Sequence, residues 1–276
     1  MKIDFFCPRW GFEHVAWNTF LCRVKAAGYV GVEWFPYSER VDFIEVLHQL
    51  KILDLKLCIV MTVVKQNLTF EDYLQQLKTD LLDFCQLNPL FITAQTGREY
   101  FNPKQIEQCL ACCAEVSQRT GIPIYQETHR NKWGFAAHQV YPVLQNNPDF
   151  MLTLDVSHWF CVSESYLEDQ QEAVNLAIHR TKHIHARIGH TQSSQVADPK
   201  APEHNQALQE HLKIWDRYVA LQRANGTGVI TITPEFGPPP YLTVIDENLP
   251  ADEAQWRFNL WMKDLLFTRY NLNEYV

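Results

Sequence analysis

Eight short apolar runs recur through these 276 residues at a mean spacing of roughly 30 to 35, each followed by an amphipathic segment, and this alternation most constrains the fold. The runs begin at Ile3, Tyr29, Leu57, Leu90, Ile124, Leu152, His183 and Ile230. Between them the helical period predicts helices over Val15 to Ala27, closed by Gly28, over Phe43 to Leu53, and over Phe70 to Gln86, opened by a Thr69-Phe-Glu-Asp72 capping box. Further helices are expected over Pro103 to Arg119, Gln139 to Gln145, Gln170 to His179, Glu203 to Ala224 and Asp252 to Arg269. No Pro- or Ser-rich linker and no low-complexity tract interrupts the series, so residues 1–276 are expected to form one (β/α)8 TIM barrel domain. A doubly wound open sheet also holds parallel strands, but no Gly-x-Gly-x-x-Gly follows the first run.

Hydrophobic residues make up 46% and aromatics 13% of the chain, enough for one large core. Its 24 basic and 32 acidic side chains leave a net charge of −8, with no stripe of Lys or Arg, which argues against a nucleic-acid partner. No stretch approaches the ~18 apolar residues of a membrane span, and the start is too weakly apolar for a secretory signal, so a cytoplasmic protein is expected. Of eight cysteines, Cys109, Cys112 and Cys113 share one helix face, a spacing that reads as packing rather than as a redox or zinc centre.

Four runs in the second half end in groups that can bind a divalent cation: Glu127-Thr-His129, Asp155-Val-Ser-His158, His183-Ile-His185-Ala-Arg187 and Thr233-Pro-Glu235. In a barrel, alternate strand residues face inward and reactive groups collect at the strands' carboxyl ends. Parity therefore groups His183, His185 and Arg187 on one side of their strand, as it groups Tyr125, Glu127 and His129, or Thr231, Thr233 and Glu235. Two glutamates, an aspartate and a histidine on four successive strands make an oxygen-rich site with one imidazole. Such a set suits one Mn²⁺, Mg²⁺ or Co²⁺ better than a thiolate-type structural zinc, although a zinc ion is also admissible. Taken singly, each would pass for a solvated loop residue or a satisfied polar group; together they predict a metal-binding arc.

With these residues the chain resembles the xylose isomerase-like TIM barrel superfamily of sugar isomerases and epimerases. The resemblance runs from Gly31-Val-Glu33-Trp34 to Thr233-Pro-Glu235-Phe236-Gly237. It implies Glu127, Asp155, His185 and Glu235 as metal ligands, Glu127 and Glu235 as the acid/base pair, and His158 as a substrate-binding residue. The strand-seven Arg of that superfamily lies farther past its metal His than Arg187 does, so Arg187 stands either as a substrate contact or as a salt-bridge partner of Glu127, Asp155 or Glu235. The segment from Ile188 to Pro199 departs from the epimerase pattern and leaves the substrate open. Glu33 is expected to bind substrate or to pair with Arg187, and His183 to contact substrate or line the barrel beneath the metal. His129 is a candidate supporting residue, and Gly97-Arg98-Glu99 a weak candidate anion loop. Trp10, Trp34, Trp133 and Trp159 stand at strand ends, where each either covers a sugar's C–H face, with Trp10 as the chosen substrate contact, or anchors a loop in the core.

The expected chemistry is proton abstraction next to the carbonyl of a small carbohydrate, free or phosphorylated, by an isomerase or epimerase of carbohydrate metabolism, with a homo-oligomer compatible with the same reading. Three alternatives are an inosose-type dehydratase on the same metal arc, an endonuclease IV-like phosphodiesterase, and a non-catalytic ligand-binding barrel. The phosphodiesterase needs early-strand imidazoles, yet no His lies between His48 and His129, and Thr62 and Gln95 stand where they would be.

Overall fold

A computed structural model describes residues 1–243 and 248–271. Strands β1 (Lys2–Pro8), β2 (Gly31–Trp34), β3 (Lys56–Met61), β4 (Ile92–Ala94), β5 (Ile124–Glu127), β6 (Leu152–Leu154), β7 (Thr181–Ala186) and β8 (Val229–Pro234) are all parallel and close into a barrel. Closure is made where β8 returns to β1, pairing Val229 with Lys2 through Ile232 with Phe5. The outer ring is α1 (Trp17–Ala26), α2 (Phe43–Ile52), α3 (Phe70–Cys85), α4 (Pro103–Thr120), α5 (Ala137–Asn146), α6 (Val156–Ser163), α7 (Gln171–Arg180), α8 (Asn205–Ala224) and α9 (Ala251–Asn271). This is the (β/α)8 barrel expected from the alternation of strands and helices.

Each outer helix sits down because its apolar stripe faces the strands. On α3, Tyr73, Leu77, Leu81 and Phe84 recur at helical spacing and are buried. Cys109, Cys112 and Cys113 pack α4 inward, and all eight cysteines are free thiols. The capping box lies on α4, not α3. Asn102 accepts from the Gln105 amide while the Gln105 side chain accepts from Asn102 N, whereas Asp72, one methylene shorter than Glu, takes only the Thr69 hydroxyl. Gly31 is required by close approach, since a Cβ there would lie 2.2 Å from the Lys56 carbonyl oxygen and 2.8 Å from the Phe6 ring.

The barrel interior fills in layers. At the floor Phe6, Cys58 and Phe91 pack together with Val30 and Tyr125. Above them a polar layer is satisfied internally: the Thr93 and Thr153 hydroxyls are 2.9 Å apart, Thr93 donates to Glu33, and His183 reaches Thr231 Oγ1 at 2.8 Å and Thr233 Oγ1 at 3.1 Å. The next layer toward the carboxyl ends contains His185, Glu127 and Glu235. Among the described residues no helix is long and apolar enough to cross a membrane.

Candidate metal centre

Glu127 closes β5, Asp155 follows β6, His185 is the fifth residue of β7, and Glu235 follows β8. One ligand atom from each of these four buried residues lies within 4.8 Å of all the others. His185 Nδ1 is 3.4 Å from Glu127 Oε1 and 3.2 Å from Glu235 Oε2. On its other side Nε2 lies 3.1 and 3.0 Å from the two Glu33 oxygens, so the Glu33 carboxylate accepts from Nε2–H and Nδ1 faces the acidic cluster. Burial lowers the imidazole, but Glu235, Glu33 and Glu127 raise it well above its ordinary value, so a bound cation would displace the Nδ1 proton. Glu127 Oε1 and His185 Nδ1 are buried without a hydrogen-bond partner. Unpartnered buried polar atoms of this kind require explanation, and a divalent cation held by Glu127 Oε1 and, once its proton is released, by His185 Nδ1 supplies one. The residues therefore fit a metal ion.

Asp155 has a second task that fixes its orientation. Its side chain caps α6, accepting from Ser157 N at 2.9 Å and Ser157 Oγ at 2.5 Å through Oδ1, which leaves Oδ2 turned to Arg187 and the cluster. Glu127 is held in the same way, with Gln95 Nε2 donating to Oε2 at 3.0 Å and Oε1 left free. Arg187 pairs with Asp155, stands 3.9 Å from Glu235 Oε2 and reaches His158 Nε2 at 2.9 Å.

Packing three glutamates around one imidazole separates their proton affinities. Burial raises the Glu127 carboxyl, but the neighbouring His185 outweighs it and holds the group below the usual carboxylate range. Glu235 is pushed upward by burial, with the Glu127 charge adding to the rise against His185 and Arg187. Glu33, also buried, is held well below its ordinary value by His185 and His183. His129 is pushed down to about 4 by burial, which keeps it a neutral imidazole at the cavity wall.

Above the cluster a cavity of about 190 Å³ opens at the strand ends. That is below the ~300–1,000 Å³ of drug-sized pockets, as suits a small ligand. Glu127, Glu235, Arg187, Glu33, Gln95 and His129 give it polar walls, while Trp10, Phe35, Val60 and Tyr241 give it an apolar face. Trp10 reaches the cavity across Gly237, where a Cβ would lie 2.2 Å from its ring.

The structure brings Glu127, Asp155, His185 and Glu235 together and sets Arg187 and Trp10 on the cavity. Glu33 lies at the cavity too, but its carboxylate is bound by His185, His183 and Thr93 rather than by Arg187. His183 does not reach the cavity. It is wholly buried one layer down, against Phe91 and the two threonines of β8. His158 is likewise wholly buried, behind Asp155 and Arg187, its ring tilted against that of His129 with centroids 4.0 Å apart. Trp34, Trp133 and Trp159 are core residues, at 0, 2 and 1% exposure. Arg98 and Glu99 lie outside the cavity wall.

Sequence reading missed α6, Arg130 and Tyr241. The signal for α6 was the Asp155-Val-Ser157 cap, masked by the apolar Trp159-Phe-Cys-Val162 run that follows it. Arg130 and Tyr241 occupy loops and carry no periodic signal.

By sequence, the chain matches no family model and no curated protein. By structure, it is similar to D-psicose 3-epimerase in the presence of D-fructose, at 14% identity and TM-score 0.64, over 98% of this chain and 99% of that one. It is similar to the probable 3-DHS dehydratase AsbF from Bacillus anthracis, at 15% identity and TM-score 0.58, over 96% and 99%. It is also similar to an AP endonuclease, family 2, from Brucella melitensis, at 16% identity and TM-score 0.59, over 86% and 93%. The fold is that of the xylose isomerase-like TIM barrels. Barrels of the xylose isomerase-like fold thus include epimerase, dehydratase and nuclease structures, and the reaction of this chain has to be argued from its own side chains.

Proposed function

We propose that the protein is a divalent-metal-dependent isomerase or epimerase of a small carbohydrate, moving a proton on the carbon next to a carbonyl. The observation that carries this reading is the pair of buried atoms without a hydrogen-bond partner, Glu127 Oε1 and His185 Nδ1, within a group of four residues that could hold a metal beneath a small cavity. Glu127, Asp155, His185 and Glu235 would hold Mn²⁺, Mg²⁺ or Co²⁺, with Zn²⁺ also accepted. When bound, the ion supplies a Lewis acid that stabilises the oxyanion developing on the substrate's carbonyl oxygen. A xylose isomerase-like barrel from Mycobacterium smegmatis, 12% identical with a TM-score of 0.56, is known in complex with magnesium.

The protein's own share of the chemistry is the pair of opposed carboxyls. Glu127 is held ionised and can take a proton, and Glu235, whose carboxyl is pushed upward, can return one. Gln95 keeps Glu127 aimed by holding one oxygen, and Asp155 restrains Arg187 at the wall. Trp10 and Phe35 exclude water and offer a face to the sugar's C–H surface.

A phosphodiesterase reading finds less support. The early-strand positions that would need imidazoles hold Thr62, which donates to the Gln95 carbonyl, and Gln95, which donates to Glu127. The net charge of −8 points the same way.

The test is metal analysis of the purified protein followed by ketoses and aldoses incubated in D₂O and read by NMR. Deuterium entering the carbon next to the carbonyl, with stereochemical or carbonyl exchange and no loss of water, is expected. A deoxy-keto product with new ultraviolet absorbance would replace this reading with a dehydratase on the same ligands. No exchange from any substrate in metal-loaded protein would refute the acid/base roles.

A further inference from the structure

Beside the metal centre two guanidiniums converge with too few acceptors between them. Arg187 Nη2 lies 2.9 Å from His158 Nε2, and Arg130 Nη1 lies 3.0 Å from His158 Nδ1. A neutral imidazole has one acceptor nitrogen and one N–H, and a protonated one has no acceptor. At least one of the two contacts therefore sets donor against donor. Both guanidiniums also converge on Tyr241, their central carbons 5.0 Å (Arg130) and 5.3 Å (Arg187) from its ring centroid.

The two cations differ in how they are compensated. Arg187 has Asp155 as its counter-charge. Among the described residues Arg130 has only neutral partners: the imidazole, the Ser194 hydroxyl and the Tyr241 hydroxyl, which accepts at 2.7 Å. Among the described residues no carboxylate forms an ion pair with Arg130. Holding a partly buried guanidinium against a second one without a counter-ion is costly, and an anion accepting from both forks would relieve it. Arg187 and Tyr241 line the cavity, and Arg130, half-buried behind the wall, bonds the Tyr241 hydroxyl, so the cavity's Tyr241 edge is where an anion would meet both cations.

We propose that Arg130 and Arg187, flanking His158 beside Tyr241, form an anion clamp that selects carbohydrates bearing an acidic group, a carboxylate or a phosphate, for the proton-transfer site. The acidic group takes over the unmade arginine contact and bridges the two planar forks, a geometry that guanidinium matches and a hydroxyl does not. Arg130 is thereby a specificity residue on the loop after β5, directly after His129. The clamp rests on the reading of this centre as a sugar-acting site.

The test titrates manganese-loaded protein by calorimetry with two matched pairs, D-fructose against D-fructose 6-phosphate and D-glucose against D-glucuronate, and follows each in D₂O. At least one acidic sugar should bind tenfold or more tighter than its neutral partner. The phosphate pair and the carboxylate pair separate the two sources of the anion. Arg130→Gln should remove roughly ten- to hundredfold of that preference, the range of a charge-assisted hydrogen bond, while leaving neutral-sugar affinity within twofold, and Arg130→Lys should restore part of it. Equal or undetectable binding of the acidic sugars overturns the clamp, and so does an equal loss for neutral and acidic sugars in a folded Arg130→Gln. The wild-type comparison decides the matter even where a variant fails to fold. An acidic preference without deuterium exchange would leave the clamp and refute the acid/base reading; exchange into neutral sugars alone would do the reverse.

Discussion

Replacing Glu33 by Gln isolates what a residue behind a ligand contributes. Glu33 reaches His185 Nε2 with both oxygens, at 3.1 and 3.0 Å, and accepts from Thr93 Oγ1 at 3.3 Å. The amide keeps the size and one acceptor oxygen, so the polar layer can stay packed. It removes the charge that holds the Nε2 proton in place and makes Nδ1 the basic nitrogen, and it can turn an N–H₂ toward the imidazole. Losing such a carboxylate–histidine partner weakens metal affinity by about 10- to 100-fold, or roughly 1.4 to 2.8 kcal/mol. Calorimetric titration of Mn²⁺ into chelator-treated wild type and Glu33→Gln at pH 7.5 reads that difference directly. A variant with unchanged Mn²⁺ affinity but raised KM for substrate would refute the reasoning and return Glu33 to the role of a direct substrate contact.

Glu235→Gln should cut solvent-deuterium exchange by about 10²- to 10⁴-fold with the melting transition intact, and retained exchange would remove Glu235 from the acid/base pair. Mn²⁺ at 100 times its dissociation constant should stabilise chelator-treated protein by about 2.7 kcal/mol, read as a rise in Tm; an unchanged Tm would count against a metal centre. Leu77→Ala, which empties a fully buried position on α3, should cost about 2 to 5 kcal/mol in urea unfolding without changing the ligand set. His211 is wholly buried and pushed down to about 4, so the unfolded chain takes up a proton near pH 6.5 that the folded one refuses until about 4. Its contribution is complete above pH 6.5 and is lost as pH falls through that window, by about 3 kcal/mol, so His211→Leu should show a flatter loss of stability between pH 7 and 4 than wild type. Parallel slopes would show that other groups carry the acid sensitivity.

What the sequence disclosed follows from periodicity. Inward parity in β7 is a property of the backbone, and it set His183 and His185 in successive layers without any knowledge of partners. The same rule placed Tyr125 at the floor and Glu127 at the rim of β5. It could not tell which of Glu33's neighbours would claim its carboxylate, because that depends on depth across the barrel. Glu33 ends up facing β7, 152 residues away in sequence, rather than Arg187. The helix after Asp155 was hidden for a related reason: Val156 to Ser163 is buried on most sides, and a buried helix has no polar face to give it a period. That helix carries His158 behind Asp155 and Arg187, away from the cavity.

The division of labour within the barrel explains why neighbours in fold need not share a substrate. All four proposed ligand residues stand at or just after the ends of β5, β6, β7 and β8: Glu127 and His185 are held by strand pairing, Asp155 by its amide bond to Thr128 and its cap on α6, and Glu235 by its amide bond to Ala186. The groups that would discriminate substrates sit beyond the strands: Arg130 after β5, Ser194 in the turn after β7, and Tyr241 after β8. Three loops meet there through one guanidinium, with Arg130 bonded to both Ser194 and Tyr241 and Gln195 holding Gly237 by its backbone at 2.8 Å. A change in any one loop moves the acceptor that Arg130 lacks, while the ligands stay where register puts them. Swapping the segment 190–196 for an unrelated loop should therefore alter which sugars bind and leave Mn²⁺ affinity within about threefold, since no ligand or ligand partner lies in it. A parallel fall in metal affinity would show that loop and ligand arc are one cooperative unit, and the separation argued from register would fail.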